Sequence, residues 1–316
     1  MNRRQLFAAG AAALGVVSTT RGQDAKRKPG LRAGHITDVH ITPDRDAPKG
    51  VAAMFDHMFG QKDWAPDLIL NSGDAVMGVD GKVTGKRAGE QVAVWKAAVK
   101  GVKVPIHSCL GNHDVWDGHE PTDDVPEAKK RFALMTGVLG MPAEQYSFDA
   151  GGWHFIALNS VGNWPNYGVL TADHFQWLKA DLKKTKAETP VCVFSHLPIL
   201  SVTSSVYGDG QKHEKGVLVP KVWQHQDCWE ITEVFRRHPN VKLCLSGHMH
   251  TCDRVEYRGV WYICGGAASG AWWAGAEYGF PPLYGAIDFY PDGAFEYRFV
   301  DYGWKARAWK GKELKD

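Results

Sequence analysis

The sequence predicts an α/β fold with four layers, α/β/β/α, in which two stacked mixed sheets lie between outer helices. Two observations support it: short apolar runs alternate with helical periodicity from Leu31 onward, and the last third of the chain is rich in strand patterns. The 316 residues are 44% hydrophobic and 23% charged, which allows a large buried core. No linker-like stretch divides the middle, so we expect one domain over residues 31–316.

Five apolar runs end in polar clusters. The runs cover residues 31–37, 68–70, 104–110, 191–194 and 241–245. Continuous apolar runs of this length are typical of buried strands, and the residues that follow them are rich in Gly, Asp, Asn and His. Because sites in open α/β sheets form at the carboxyl ends of strands, we expect these polar side chains to meet.

Three segments between the strands have the periodicity of core-facing helices. Residues 89–100 and 172–185 each place apolar side chains on one helical face, and Thr171 is positioned to cap the second helix. Residues 229–238 are a third candidate, which Pro239 ends. These helices are expected to cover the sheets.

The C-terminal third is predicted to form strands. Residues 260–264, 284–290 and 294–300 have strand composition. The sequence Pro291-Asp292-Gly293 between the last two is typical of a hairpin turn.

The first 30 residues are predicted to be a twin-arginine signal peptide followed by a polar linker. Arg3 and Arg4 precede a weakly apolar run at residues 8–17, as in substrates of the twin-arginine translocation machinery. This run is shorter than the roughly 20 residues that span a bilayer, so no transmembrane helix is expected. We expect a periplasmic or extracellular protein. The alternatives are a weak membrane anchor and a chance basic start on an N-terminal helix.

The six cysteines are predicted to be mostly unpaired. Four of them lie in aliphatic runs where a thiol behaves as a small buried hydrophobe: Cys109, Cys192, Cys244 and Cys264. Cys228 and Cys252 are the candidates for a bridge.

The polar clusters contain the side chains that a pair of metal ions needs. Metal-assisted hydrolysis of a phosphate ester uses two cations about 3.5–4 Å apart, and a shared carboxylate provides that spacing. The clusters are Asp38-Val39-His40, Gly73-Asp74, Gly111-Asn112-His113-Asp114, His196 and Gly247-His248-Met249-His250. Each residue alone is more often a turn residue or a hydrogen-bonded histidine, but five clusters at strand ends favour one common site.

In this order, the five clusters resemble the motifs of the calcineurin-like metallophosphoesterase family. The resemblance extends from Leu31 to about Val300. It implies the metallo-dependent phosphatase fold and hydrolysis of a small phosphoester by a metal-held hydroxide. It also implies a ligand set: one ion held by Asp38, His40 and His250, the other by Asn112, His196 and His248, with Asp74 bridging them.

The resemblance also implies catalytic roles for two residues that are not among the ligands. It implies that His113 contacts the phosphate and protonates the departing oxygen, and that Asp114 orients the loop. In some members of the family, a carboxylate three residues after the bridging Asp orients the equivalent of His113. This sequence has Met77 there, so another acid orients His113 or its chemistry is tuned differently.

The motif Asp38-Val39-His40 together with Gly111-Asn112-His113-Asp114 resembles the form found in class III cyclic-nucleotide phosphodiesterases. Purple acid phosphatases resemble the same layout but use Asp-x-Gly and a later Tyr, where this chain has His40 and Met77. An iron-tyrosinate site is therefore not expected. Nitrogen and oxygen ligands without thiolate suit Mn, Fe, Zn or Co.

The sequence says less about the substrate. Residues 201–226 have little periodicity and are interpreted as a loop or lid over the site, or equally as a surface connection. The Gly-rich residues 265–273 are expected to form a turn that carries aromatic side chains near the cleft. The candidates for stacking on a flat leaving group are Trp116, Trp272 and Tyr284.

We predict a metal-dependent phosphoric ester hydrolase, with a phosphodiester favoured over a phosphomonoester. A non-catalytic metal-binding scaffold is the rival from another class. A nuclease of the same family would need a basic groove, and the near balance of 37 Lys and Arg with 35 Asp and Glu argues against one. No nucleic-acid partner is expected.

Overall fold

The computed structural model of the protein describes residues 16–18, 27–79, 83–116, 128–163, 168–206, 212–213 and 216–307. The strands are β1 (Val16–Ser18), β2 (Leu31–Ile36), β3 (Leu68–Asn71), β4 (Ile106–Ser108), β5 (Tyr146–Ala150), β6 (Trp153–Ala157), β7 (Val191–Phe194), β8 (Lys212–His213), β9 (Gly216–Val217), β10 (Val241–Ser246), β11 (Cys252–Tyr257), β12 (Val260–Gly265), β13 (Leu283–Phe289) and β14 (Phe295–Asp301). The helices are α1 (Ala47–Phe59), α2 (Gly85–Val99), α3 (Ala128–Val138), α4 (Ala172–Lys184), α5 (Thr203–Val206) and α6 (Cys228–Arg236).

Two six-stranded mixed sheets organise the described residues, as predicted. The first has the order β1-β14-β13-β2-β3-β4, and its strands β2, β3 and β4 are parallel. The second has the order β11-β12-β10-β7-β6-β5, and its four central strands are parallel. Antiparallel strands border both parallel blocks.

Alternating side chains on β7 show the layers. Cys192 and Phe194 belong to the core between the two sheets, which continues to α1 and α2. Val191 and Val193 point to a second core formed with α4 and α6. Because successive strand residues face opposite sides of a sheet, the second sheet is buried on both faces. The predicted four-layer α/β/β/α architecture is confirmed.

The predicted helices and the C-terminal strands are present with shifted ends. Thr171 caps α4 by accepting the backbone N–H of His174. The helix predicted at residues 89–100 begins earlier, at Gly85, because Thr84 accepts the N–H of Arg87. The β13–β14 hairpin turns at the predicted residues 291–293.

The predicted leader is described only in part. Val16–Ser18 pairs antiparallel with β14 and extends the first sheet by one strand. The other residues from 1 to 26, including Arg3 and Arg4, lie outside the described residues. Among the described helices, none combines the length and apolar character that crossing a membrane requires.

All six cysteines are free thiols. The four in aliphatic runs are buried, as predicted, and burial raises the pKa of each: Cys109, Cys192, Cys244 and Cys264. The bridge candidates Cys228 and Cys252 are also unpaired in the structure, so that expectation is not met.

Candidate metal centre

The carboxyl ends of five parallel strands bring the predicted site residues together. Strands β2, β3 and β4 of the first sheet lead into the segments that carry Asp38, His40, Asp74, Asn112 and His113. Strands β7 and β10 of the second sheet lead into His196, His248 and His250. All seven predicted ligands converge in two groups with Asp74 between them.

The first cluster consists of Asp38, His40 and His250. His250 Nε2 lies 3.2 Å from Asp38 Oδ1 and 3.1 Å from His40 Nε2. His40 Nε2 also lies 3.7 Å from Asp38 Oδ1 and 3.5 Å from Asp74 Oδ2.

The second cluster consists of Asn112, His196 and His248. His196 Nε2 is its centre: it lies 3.0 Å from Asn112 Oδ1, 3.1 Å from His248 Nδ1 and 3.2 Å from Asp74 Oδ2. Asp74 Oδ2 therefore borders both clusters.

These spacings fit metal ions. An ion bound at about 2.0–2.2 Å from each ligand holds neighbouring ligand atoms about 3–3.6 Å apart. The separations in both clusters, 3.0 to 3.7 Å, are close to this range. Asp38 Oδ1 is buried and has no hydrogen-bond donor among the described residues. An unsatisfied buried carboxylate oxygen is costly unless a cation compensates it, so the donor set fits the two ions that the sequence predicts.

In both Asp38 and Asp74, one carboxylate oxygen accepts hydrogen bonds and the other oxygen faces the candidate metal ligands. Asp38 Oδ2 accepts the backbone N–H of His248 at 2.8 Å and the hydroxyl of Thr37 at 2.7 Å. Asp74 Oδ1 accepts the N–H of His113 at 2.8 Å. Oxygens Oδ1 of Asp38 and Oδ2 of Asp74 are consequently fixed in the position where a metal would need them.

Backbone carbonyls orient three of the histidines. Nδ1 of His196 donates to the carbonyl of Ser72 at 2.9 Å, and Nδ1 of His250 donates to Gly270 at 2.6 Å. Nε2 of His248 donates to the carbonyl of Val222 at 2.7 Å. Because a carbonyl only accepts, the hydrogen-bond network assigns a proton to each of these nitrogens and leaves the opposite nitrogen to bind a cation.

Four of the predicted ligands lie on strained backbone. The angle φ is +51° at Asp38, +45° at His40, +69° at His248 and +56° at His250. Left-handed φ values are uncommon for residues with a Cβ and concentrate at functional sites. Hydrogen bonds from His40 N to Asp74 O (2.9 Å) and from Gly247 N to His196 O (3.0 Å) hold the turns together.

The motif glycines allow these turns to approach one another. A Cβ on Gly111 would lie 2.1 Å from Asp74 Oδ1, and a Cβ on Gly247 would lie 2.2 Å from Asp38 Oδ2. Any side chain at these positions would occupy the space of the carboxylates.

The buried carboxylates attract positive charge. Burial raises the pKa of Asp38, but His250 and His40 outweigh it and hold this pKa well below its usual range. Burial opposes protonation of His196, yet Asp74 raises its pKa to about 9. Burial is the main cause that lowers the pKa of His40 and of His248 to about 4, and neighbouring histidines add to it, so both are neutral with a lone pair available. Without a metal, Asp74 thus keeps a proton on His196, and an ion bound between these two residues would displace that proton and take over its charge.

His113 and Asp114 both belong to the Asn112–Asp114 turn. The His113 ring is partly exposed and packs edge to face on His40, with ring centroids 4.7 Å apart. Asp114 is buried and accepts the N–H groups of Gly111 (3.0 Å) and Ala75 (3.1 Å). Burial and the nearby Asp74 raise the pKa of Asp114 to about 7. Asp114 thus ties the two loops that carry Asn112 and Asp74.

Only some of the segments and aromatic residues that were predicted to recognise the substrate lie at the metal centre. Residues 220–226 of the predicted lid reach the site through Val222, whereas Tyr207, Gly208 and Gly210 lie outside the described residues. Trp272 packs on His250, but Tyr284 is 1% exposed with its hydroxyl 3.2 Å from His57 Nδ1. Tyr284 therefore does not line the cleft, and that interpretation is wrong.

The model of the calcineurin-like phosphoesterase family matches residues 31–252, a range that contains every residue of both clusters. The chain belongs to this family. It is accordingly a metal-dependent phosphoric ester hydrolase, and its two clusters are candidates for a two-metal centre.

Relatives with named activities are similar to parts or most of the chain. A 3',5'-cyclic-nucleotide phosphodiesterase of Nostoc sp. is 33% identical over 129 residues, which cover 40% of this chain and 42% of that protein. A probable cyclic nucleotide phosphodiesterase of Synechococcus sp. is 27% identical over 273 residues, 84% of this chain and 90% of that protein. Purple acid phosphatase 23 of Arabidopsis thaliana is 31% identical over 49% of this chain and 30% of its own length.

A solved structure has the same fold. The dimetal phosphatase from Danio rerio superposes with a TM-score of 0.61 at 15% identity and covers 87% of this chain and 97% of its own. At this identity the likeness supports the fold alone.

Proposed function

We propose that the protein hydrolyses a phosphodiester with two metal ions, one in each cluster. One observation carries the proposal: Asp74 Oδ2 lies 3.5 Å from His40 Nε2 and 3.2 Å from His196 Nε2, so a single carboxylate oxygen adjoins both clusters. The cyclic-nucleotide phosphodiesterases among the relatives support a diester as the substrate.

Each residue of the centre has its own role in the proposed reaction. When bound, a pair of divalent ions lowers the pKa of water and neutralises the charge of the phosphate. Asn112 contributes a neutral oxygen, which adds no negative charge beside an anionic substrate. His113 is partly exposed beside His40 and would donate a proton to the departing ester oxygen. Asp114 keeps His113 in place through the backbone of its loop.

A phosphomonoester is the second candidate, and the purple acid phosphatases among the relatives favour it. The two candidates require the same centre and differ in the charge and size of the group that must fit above it. Kinetics with matched substrates therefore decides between them.

The test compares bis-p-nitrophenyl phosphate with p-nitrophenyl phosphate after loading the protein with Mn, Fe or Zn. We expect a higher kcat/KM for the diester, and loss of most metal and activity in Asp74→Ala. The control Asp63→Ala, at an exposed position, should keep both. A strong monoester preference would refute the diester, and full activity in Asp74→Ala would refute the shared carboxylate. Two bound metals without turnover of any phosphoester would favour a non-catalytic scaffold.

We also propose that the protein is exported by the twin-arginine machinery, on the evidence of Arg3, Arg4 and the apolar residues 8–17. Fractionation of cells should place the wild type in the periplasm or medium. The variant Arg3→Lys/Arg4→Lys should remain in the cytoplasm, and its export would contradict the proposal.

A further inference from the structure

Trp272 packs against two histidines of the first cluster, His250 and His40. Its ring centroid lies 4.2 Å from that of His250 at an interplanar angle of 34°, and 5.9 Å from that of His40. Both histidines are buried, whereas Trp272 is partly exposed. The indole therefore stands between the candidate metal ligands and the solvent on this side.

The backbone holds Trp272 in an unfavourable conformation. Its φ is +51°, and the next residue, Trp273, has a φ of +74°. A bulky residue in this region is a strained outlier, and such outliers cluster at functional sites. Glycine would fit the turn without strain, so backbone preference does not explain a tryptophan here.

Several contacts fix the turn relative to the cluster. Arg45 Nη1 donates to the carbonyl of Trp272 at 3.3 Å, and the N–H and hydroxyl of Ser269 both donate to the carbonyl of Asp38. The carbonyl of Gly270 accepts Nδ1 of His250. The turn is thus bonded to two of the three residues of the first cluster, and the indole is held in a defined position beside them.

We propose that Trp272 is a specificity-determining residue that packs against a flat organic group of the phosphoester, favouring aryl or heteroaryl esters over alkyl esters. The inference rests on the proposed function and narrows its substrate class. His113 packs on His40, whereas Trp272 packs mainly on His250. Since the departing oxygen is assigned to His113, we assign Trp272 to the ester group that stays on phosphorus.

The test varies only this retained group. Phenyl p-nitrophenyl phosphate and methyl p-nitrophenyl phosphate have the same leaving group, so their kcat/KM ratio isolates recognition of phenyl against methyl. The wild type should prefer the phenyl ester, and Trp272→Leu should lower the ratio about tenfold, the typical effect of losing one stacking partner. Trp272→Phe should keep most of the preference. Trp229→Leu, at a 58% exposed position on α6, is the matched control and should leave the ratio unchanged.

A merely structural Trp272 would behave differently. If the ring only supports His250, both substrates should lose activity equally and the ratio should stay constant, which would overturn the inference. Trp272→Asn guards against misfolding, because Asn tolerates left-handed backbone better than Leu. Its ratio should fall as in Trp272→Leu, with metal content maintained.

Binding separates this inference from the proposed function. Dissociation constants of phenylphosphonate and methylphosphonate for the metal-loaded protein need no turnover. The wild type should bind phenylphosphonate about tenfold more tightly, and Trp272→Leu should remove the difference. Absence of turnover with both diesters would reject phosphodiester hydrolysis, whereas equal binding of the two phosphonates by the wild type would reject the role of Trp272.

Discussion

The backbone N–H of His113 donates to Asp74 Oδ1 at 2.8 Å, while Oδ2 of the same carboxylate adjoins both clusters. The residue proposed as the acid is thus fixed through its main chain to the residue proposed to bridge the ions. Its imidazole is left to act on the substrate.

His113→Ala should therefore lower kcat without removing metal. General-acid catalysis contributes about 10²–10⁴-fold, and the loss should be largest for poor leaving groups, which need a proton most. A series of diesters with leaving groups of increasing pKa measures this: the slope of log kcat should become steeper in the variant. Equal losses across the series would show that His113 does not protonate the leaving oxygen.

Gly247→Ala should distort the first cluster, because the added Cβ would lie 1.8 Å from Thr37 Oγ1 and 2.2 Å from Asp38 Oδ2. Crowding of this kind costs about 1–3 kcal/mol, and metal affinity should fall with stability. Urea unfolding and metal titration measure both effects. Gly89→Ala is the control: a Cβ there meets nothing within 4 Å on α2, so it should stabilise the protein by about 0.5–1 kcal/mol. Unchanged metal affinity in Gly247→Ala would contradict the close approach described.

Asp114→Ala should destabilise the metal-free protein by about 2–6 kcal/mol, since the N–H groups of Gly111 and Ala75 would both lose a buried acceptor at about 1–3 kcal/mol each. Denaturant unfolding of the metal-free protein is the measurement. Asp301→Ala removes an exposed acceptor from Gly303 and should cost less than about 1 kcal/mol. A loss of kcat with no loss of stability would instead indicate direct participation of Asp114 in the reaction.

His154 should make stability depend on pH. Its Nδ1 lies 2.7 Å from Asp149 and its Nε2 2.8 Å from Asp181. Burial opposes protonation, but these two carboxylates outweigh it and raise the pKa of His154. A raised pKa stabilises the fold fully below the unfolded value of about 6.5, and this stabilisation disappears as pH rises through the folded value.

His154→Gln should accordingly lower the free energy of unfolding by about 1 kcal/mol near pH 5.5 and by less above pH 8. The figure is small because Asp149 is largely exposed and solvent screens its charge. Unfolding at both pH values measures the difference. His107→Gln is the control, since burial lowers the pKa of His107 and the pH trend should be opposite. A pH-independent cost at His154 would argue against the charged pair.

The sequence predicted the side chains of the site better than its backbone. Polar residues after apolar runs predicted which seven side chains the structure brings together, because strand ends share one edge of each sheet. The left-handed φ values at Asp38 and His248 had no such signal, since neither residue is glycine. The carbonyls of Ser72, Val222 and Gly270 were also missed, because a main-chain acceptor leaves no mark in residue type.

Helix α1 and strand β11 are among the elements that were not predicted, and the structure gives a reason for each. Helix α1 contains Gly50, which weakens helical propensity, yet a Cβ there would lie 2.0 Å from the Trp273 ring, so packing requires the glycine. Strand β11 lies at the edge of its sheet and lacks the apolar run that identified the central strands. In both cases tertiary contacts decided the outcome.

The bond between Val222 and His248 has a consequence for engineering. Copying the seven side chains onto another α/β scaffold would not reproduce the centre unless the recipient also supplied carbonyls where Ser72, Val222 and Gly270 supply them. Without those acceptors, the transplanted imidazoles would rotate and present the wrong nitrogen. Loop grafting from this protein should therefore carry residues 220–226 along with the histidines.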